Sequence, residues 1–273
     1  MIEPPYPELS ELLVLIGAAG RRMSDIEATE GAAGNISIYV GWRVDPRRTF
    51  PNVETIPLPE RTPELAGKAF LISGSGRRLR EIIDNPAANL GFLTVDEGGE
   101  TGQLHTAPSR LFERLTSEFN SHLAVHRDQV RLTSTNFHAV LHAQPPYLTY
   151  LSQIPRYRDE MYLNQHILRW QPETIVNLPE GVGVIPFELP GSPALMTATV
   201  QSLRTHRIVL WAKHGVVARS DVSVKRASDR IEYAETGARY EYMNLANREQ
   251  AEGLTVEEIR TICSTFNVQQ AIF

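Results

Sequence analysis

Short apolar runs of strand length alternate along this chain with segments that carry a helical apolar stripe, and no linker-like stretch separates them. The clearest strand-like runs are Ala69–Ile72, Leu90–Val95 and Phe137–His142, and Ile36–Val44 alternates apolar with other residues. The helical periodicity predicts helices at 8–24, 158–170, 193–205 and 222–246. Because strands and helices interleave throughout, the sequence predicts a single α/β domain over residues 1–273, with layered sheet and helices.

Two other segments carry local signals. Residues 45–67 contain five prolines and are predicted to form an irregular excursion. Ser109 can cap a helix. The residues that such a helix would direct inward are Leu111, Leu115, Phe119 and Leu123.

The composition excludes several classes of function. The net charge of -5 and the isoelectric point near 5.9 argue against a nucleic-acid-binding surface. Cys263 is the only cysteine, so no intrachain disulfide and no cysteine-rich zinc site can form, which fits a reducing compartment. The first residues are acidic and rich in proline, unlike a signal peptide, and no apolar run approaches the ~20 residues of a membrane span. The cytoplasm is therefore the expected location.

Three separated polar clusters lie in apolar sequence and could carry the chemistry. They are Thr116–Glu118, His142–Gln144 and Lys213–Gly215. A carboxylate and two histidines placed in this way can converge on one divalent metal. Metal-assisted chemistry is therefore the leading hypothesis.

The second cluster lies at the end of a predicted strand. Since side chains alternate across a strand, Gln144 is expected to project from the same face as His142. A His-x-His pair there would be a familiar way to hold a metal. This sequence has Gln144 in place of the second histidine, and an amide oxygen is not among the usual zinc ligands. The alternative is that His142 and Gln144 bind no metal and only form hydrogen bonds with the residues around them.

Alternatives also stay open for the other two clusters. His214 lies between predicted strands at 207–212 and 215–218, where it could be a ligand or a core histidine whose hydrogen bonds are satisfied. Glu118 is placed on a helix, where it could serve as a ligand, as a general base or as part of a solvated face. His122 and His126 follow Glu118 at i+4 and i+8 and could form a helical metal face, although exposed histidines are the commoner explanation.

A glycine-rich turn supplies a further candidate site. Ser73–Gly76 places two hydroxyls in a turn whose backbone N–H groups could cradle a phosphate. The turn lacks the Lys-Ser/Thr ending of a Walker motif. Arg77 and Arg78 follow it and would favour an anion, but adjacent arginines are more often solvated.

Several segments together resemble a known family. They are Phe70–Gly76, Asp84–Gly91, Leu115–Glu118, Pro179–Val184 and Val209–Val216. In this order they are similar to the class II aldolase/adducin superfamily, and within it to the rhamnulose-1-phosphate aldolase branch. The similarity covers nearly the whole chain.

The resemblance implies a three-layer α/β/α fold on a mostly antiparallel sheet, and a homotetramer with sites between subunits. It implies reversible cleavage of L-rhamnulose 1-phosphate to dihydroxyacetone phosphate and L-lactaldehyde, with zinc as the metal. By position, His142 and His214 match two of three metal histidines, Glu118 matches the catalytic glutamate, and Glu173 matches an acidic residue from the neighbouring subunit. The residues that match the surroundings of the ketose phosphate are Asn35, Ser75, Gly76, Thr116 and Ser117.

The sequence departs from the family pattern at two positions. Gln144 stands where the family has its middle histidine, and Ala32 stands where it has an asparagine. If an oxygen of Gln144 or Glu118 is a ligand, a harder metal such as Mn²⁺ or Mg²⁺ becomes an alternative to zinc. Two other functions are also consistent with the superfamily: another lyase or a pentulose-phosphate 4-epimerase, and a metal-free binding protein of adducin type.

Overall fold

A computed structural model describes all residues from Met1 to Phe273. Its centre is one nine-stranded sheet with the order β2-β5-β4-β3-β1-β6-β9-β8-β7. Every neighbouring pair is antiparallel except β7 and β8, so the sheet is mostly antiparallel, as predicted. The strands are β1 (Asn35–Val40), β2 (Asn52–Pro57), β3 (Ala69–Ser73), β4 (Leu90–Val95), β5 (Thr101–Thr106), β6 (Phe137–Ala143), β7 (Gly183–Ile185), β8 (Ile208–Trp211) and β9 (Gly215–Ser220).

Nine α-helices accompany the sheet, and none of them combines the length and apolar composition that crossing a membrane requires. They are α1 (Leu9–Asp25), α2 (Pro86–Asn89), α3 (Phe119–Thr133), α4 (Pro146–Leu151), α5 (Glu160–Ile167), α6 (Pro172–Asn177), α7 (Pro193–Ser202), α8 (Val224–Ala246) and α9 (Val256–Phe266). The main helices at 8–24, 193–205 and 222–246 are thus confirmed within a few residues. The helix predicted at 158–170 is α5 with a 3₁₀ turn on each side.

The period-two alternation of each strand directs apolar side chains to both faces of the sheet, where they form one large cluster on one face and two smaller clusters on the other. On β6, Phe137 and Leu141 pack into the larger core with α1 and α8, whereas Val140 packs on the opposite face near α3 and α7. The central strands are buried on both faces, which is why β1 and β6 contain no exposed residue. The sheet therefore lies between two helical layers, and the three-layer α/β/α prediction is confirmed.

The helix predicted from Ser109 starts too early, although Phe119 and Leu123 do lie on α3. Residues 109–118 are not helical, α3 begins only at Phe119, and Leu111 is 58% exposed. The backbone of this segment bonds instead to the glycine-rich turn, through Ser75 N–H to Arg114 O and Thr116 N–H to Ser73 O. These bonds place Thr116–Glu118 beside the turn, which helical geometry would not allow.

The prediction that residues 45–67 are irregular is also wrong in part. It contains β2, an edge strand that pairs only with β5 and is mostly exposed. Pro51 and Pro57 lie just before and at the end of this strand, where a missing N–H costs least. Strand β5 had no prediction, and the strand predicted over Ile36–Val44 ends at Val40.

Candidate active site

The three polar clusters meet where β6 and β9 pair. His142 is the penultimate residue of β6 and lies opposite Val217 of β9. His214 lies in the tight turn between β8 and β9, where Lys213 takes the left-handed φ of 65° and donates its N–H to Ser152 Oγ (2.7 Å). Gly215 completes the turn, since a Cβ there would come within 2.5 Å of the Ala143 carbonyl oxygen.

Glu118 approaches the histidines from the helical layer. It is the residue immediately before α3, so the prediction of a helical position is wrong by one residue. Its Oε2 is 3.7 Å from His142 Nε2, and its Oε1 is 3.6 Å from His214 Nε2. One ligand atom from each of the three residues lies within 4.8 Å of the others.

The ring orientations of this group fit a metal site. His142 Nδ1 donates to Val216 O at 2.8 Å, which leaves the lone pair of its Nε2 directed at the cluster. A second ring nitrogen that donates to a carbonyl is the usual support of a metal-binding histidine. His214 Nδ1 is buried without a partner. The three residues therefore fit a divalent ion with room for further ligands.

Burial and neighbouring charges set the protonation states. Burial raises the pKa of Glu118, but attraction to His142 and the hydrogen bond from Asn35 outweigh it, and the pKa falls below the usual value. Burial, with a smaller effect of His142, lowers the pKa of His214 to about 4. At neutral pH the site thus offers a carboxylate and a neutral imidazole, which are the forms that bind metals.

These residues line a pocket of about 210 Å³. The glycine-rich turn forms its other wall: Gly76 has a φ of +70°, and a Cβ on Gly74 would overlap the ring of Phe112. The hydroxyls of Ser75 and Ser117 and the N–H of Gly76 make no hydrogen bond within the protein, so they remain free for an anion. The pocket lining is Ala32, Ala33, Gly34, Asn35, Gly74, Ser75, Gly76, Thr116, Ser117, Glu118, His142, Gln144, Pro190 and His214.

The arginines after the turn are engaged elsewhere. Arg77 donates to Leu111 O and lies 3.6 Å from Glu81, which Arg78 also contacts. Any anion in this pocket would therefore be held mainly by neutral donors.

Every site residue predicted from the sequence lines this pocket except Glu173. Gln144 follows β6 directly, and its side chain faces the Gly215 turn. Glu173 is exposed in the first turn of α6 and does not reach the pocket of its own chain. Its role from a neighbouring subunit stays a prediction.

Sequence reasoning missed part of the lining. Pro190 reaches the pocket on the loop before α7, which Asn120 holds through a 2.9 Å bond to Gly191 O. No sequence signal links these distant residues. The expectation of exposed histidines at 122 and 126 is wrong: both are buried, and both contact Ser37 on the sheet and not the metal cluster.

Known proteins are similar to this chain in sequence and in fold. A rhamnulose-1-phosphate aldolase of Klebsiella pneumoniae (strain 342) is 28% identical over 215 residues, which cover 78% of this chain and 76% of that protein. One from Yersinia pseudotuberculosis serotype IB is 27% identical over 244 residues, covering 88% and 87%. The crystal structure of a sugar-phosphate aldolase from Thermotoga maritima has a TM-score of 0.74 at 26% identity and covers 88% of this chain and 97% of that one.

The family model called Class II Aldolase and Adducin N-terminal domain matches residues 14–242. The match includes all three polar clusters and the glycine-rich turn. The chain therefore belongs to the class II aldolase and adducin family, as an enzyme of the aldehyde-lyase class.

Proposed function

We propose that this enzyme catalyses the metal-dependent, reversible cleavage of a ketose 1-phosphate, with L-rhamnulose 1-phosphate as the substrate and dihydroxyacetone phosphate and L-lactaldehyde as products. One observation carries the proposal: the Glu118, His142 and His214 cluster and the free donors of the glycine-rich turn share one pocket. A phosphorylated substrate can bridge the two. The names of the Klebsiella and Yersinia relatives support the choice of sugar.

The phosphate end of the substrate would be held by neutral donors. Ser75, Ser117 and the N–H of Gly76 are the free groups at that end, with the Thr116 hydroxyl beside them. Binding energy collected there orients the reacting carbons without touching them. Asn35 lines the pocket between the turn and the histidines.

Glu118 is the group placed to move a proton. Its carboxylate accepts the proton of the ketose hydroxyl as the carbon–carbon bond breaks to release the aldehyde. It then returns the proton to the carbon of the remaining enediolate, which yields dihydroxyacetone phosphate. General acid–base help of this kind contributes about 10²–10⁴ in rate.

His142 and His214 would hold the metal, with an oxygen of Gln144 or Glu118 as a further ligand. When bound, a divalent ion supplies Lewis-acid stabilisation for the charge that develops on the ketose oxygens. We expect zinc, with Mn²⁺ or Mg²⁺ as alternatives because the added ligand is oxygen. The enzyme would act in the cytoplasm as a homotetramer, each chain being one domain.

In the proposed homotetramer, Glu173 would act in the site of a neighbouring subunit. Since it is exposed and away from the pocket of its own chain, its carboxylate would complete the site of an adjacent subunit. Mixing Glu118→Gln and Glu173→Gln subunits after dissociation should restore activity in the mixed oligomers. No recovery would place Glu173 outside the reaction.

The substrate is tested by incubating the purified metal-loaded enzyme with a panel of ketose 1-phosphates and pentulose phosphates. We expect dihydroxyacetone phosphate from L-rhamnulose 1-phosphate, with a kcat/KM above that for the other sugars. If dihydroxyacetone phosphate is released from a different ketose 1-phosphate instead, that sugar is the substrate and the proposed one is wrong. Epimerisation of a pentulose phosphate without cleavage would overturn the retro-aldol proposal.

A further inference from the structure

A continuous row of buried polar side chains begins at the carboxylate of Glu118. Asn35 donates from Nδ2 to Glu118 Oε2 at 2.8 Å, and its Oδ1 is hydrogen-bonded to His122 Nε2. The hydroxyl of Ser37 lies 2.6 Å from His122 Nδ1 and 2.7 Å from His126 Nε2. These contacts lead away from the pocket, between the sheet and α3.

The row ends at His138. Its Nδ1 lies 2.9 Å from His126 Nδ1, and its Nε2 is buried without a partner. Asn35 is 7% exposed and no other member exceeds 1%. We call these five residues, Asn35, His122, Ser37, His126 and His138, the Asn35–His138 chain.

The two secondary-structure periods create this row. On β1, positions 35 and 37 share one face of the sheet, and His138 lies on that face of the adjacent β6. Glu118, His122 and His126 recur every four residues, so they form one stripe along the start of α3. Packing α3 on the sheet brings both sets together in a space that excludes water.

Only one arrangement of hydrogens suits an ionised Glu118. The carboxylate accepts, so Asn35 must turn its NH₂ toward it and its oxygen toward His122. His122 must then donate from Nε2 and accept at Nδ1 from the Ser37 hydroxyl. The Ser37 oxygen in turn accepts from His126 Nε2–H.

The last link follows by the same rule. His126 Nδ1 is bare and accepts from His138 Nδ1–H, which leaves His138 Nε2 as a lone pair. Reversing Asn35 would reverse every link and put an N–H at that last nitrogen. Each imidazole carries one proton at neutral pH, because burial lowers the pKa of His122 to about 4 and those of His126 and His138 well below the usual value.

Two buried cations favour the first arrangement. Arg219 of β9 lies opposite Val140, so it belongs to the same sheet face as His138, and Arg230 donates to the carbonyl oxygen of Arg219. After burial, these two charges are the main causes of the lowered pKa of His138. Both are at least nine-tenths buried, and both donate to backbone carbonyls, Arg219 to Leu203 O and Arg230 to Arg219 O. A lone pair facing positive charge is stabilised, whereas an N–H there is disfavoured.

We infer that the Asn35–His138 chain fixes the Asn35 amide with its NH₂ toward Glu118, so that His122, Ser37, His126 and His138 are positioning residues for the proton-transferring carboxylate. His122, Ser37, His126 and His138 do not line the substrate pocket; of the five residues, only Asn35 does. The Asn35–His138 chain removes the freedom of Asn35 to rotate its amide. This role rests on the proposed function of Glu118, but the predicted tautomers do not.

The tautomers can be read directly in the full-length wild-type protein. Nitrogen NMR of ¹⁵N-histidine-labelled protein distinguishes protonated from bare ring nitrogens. We expect His122 and His126 to carry their proton on Nε2, and His138 on Nδ1. A proton on Nδ1 of His122 would overturn the inference, whatever reaction the enzyme catalyses.

Ser37 is the best residue to substitute, because replacing its side chain interrupts the hydrogen-bonded row, and that side chain contacts neither Asn35 nor Glu118. In Ser37→Ala, His122 loses the donor that fixes its tautomer, and we expect kcat to fall about tenfold, the effect of one misplaced hydrogen bond, with KM unchanged. Ser37→Thr retains the hydroxyl and should retain kcat. Ser228→Ala is the matched control: this serine on α8 is 2% exposed and also donates one hydrogen bond, to Lys225 O.

The outcomes separate a positioning role from a structural one. A loss of kcat in Ser37→Ala, absent in Ser228→Ala at equal loss of thermal stability and rescued in Ser37→Thr, supports the inference. An unchanged kcat in Ser37→Ala, or a decrease that the control shares, overturns it. If the wild type cleaves no ketose phosphate while its tautomers are as expected, the proposed function fails and the hydrogen-bonded chain stands.

Discussion

His214 Nε2 lies 3.6 Å from Oε1 of Glu118, although one residue occupies a strand turn and the other precedes a helix. These two residues are only part of the candidate metal site. His142 completes it from the adjacent strand, 3.7 Å from the other carboxylate oxygen. A bound cation would be shared by the side chains of Glu118, His142 and His214.

The protein purified without chelator should contain about one divalent ion per chain, as expected for an open three-ligand site. His214→Ala should remove both the ion and the activity, because one of two imidazole ligands is lost. Elemental analysis of both proteins provides the measurement. A fully active wild-type enzyme without metal would contradict the proposed site.

Glu118→Gln should keep the fold and the affinity for the phosphate while lowering kcat by about 10²–10⁴, because an amide cannot take up the proton. The amide also keeps nearly the same shape. Steady-state kinetics, with circular dichroism as the check on folding, measures the effect. If turnover is unchanged, proton transfer belongs to another group, and Glu173 becomes the first candidate.

Ser75→Ala should weaken binding of the phosphorylated substrate and leave kcat nearly constant, because the lost hydroxyl serves the remote end of the substrate. One hydrogen bond to a charged phosphate is worth about 1.5–3 kcal/mol, so KM should rise about ten- to one hundredfold. The effect should vanish for an unphosphorylated ketose. An equal effect on both substrates would argue against a phosphate at this turn.

Gln144→His should tighten zinc binding, since imidazole nitrogen suits zinc better than a neutral amide oxygen. The position already lines the pocket next to His142 and Gly215. Zinc titration into metal-free wild type and variant decides the question. Equal or weaker affinity in the variant would show that residue 144 does not face the ion.

His122 should make the metal-free protein less stable in acid. Its pKa is about 4 in the folded protein against 6.5 as the ordinary value, so below pH 6.5 the unfolded chain takes up a proton that the native state refuses. This contribution to the free energy of unfolding is complete above pH 6.5. It then declines by about 1.4 kcal/mol per pH unit down to about pH 4.

Urea unfolding of wild type and His122→Gln between about pH 7.5 and 4.5 isolates this term. Groups whose pKa does not depend on His122 cancel in the difference, including Glu235, whose buried carboxyl has a pKa raised to about 7 and acts in the opposite direction. The stability of wild type relative to the variant should fall with pH. A flat difference would mean that His122 is charged in the folded protein or exposed.

Several central strands could be predicted from the sequence, because burial on both faces leaves a local signal. The runs at Ala69–Ser73, Leu90–Val95 and Phe137–Ala143 are buried on both faces, and this made them continuous apolar segments. The edge strand β2 gave no such signal, because it is mostly exposed and its order comes from pairing with β5. The nonhelical course of residues 109–118 was equally invisible, since its hydrogen-bond partners belong to a distant turn.

The sequence by itself determined which residues could carry chemistry: Glu118, His142 and His214 are polar groups in apolar surroundings, and burying them requires a partner. Only the tertiary structure decided which partners they have. His122 and His126 have the same spacing as a metal-binding stripe, yet they contact Ser37 because α3 packs on the sheet face to which Ser37 belongs. Helical spacing fixes which face a residue occupies, but the facing element determines whether that face meets solvent, a metal or a buried hydroxyl.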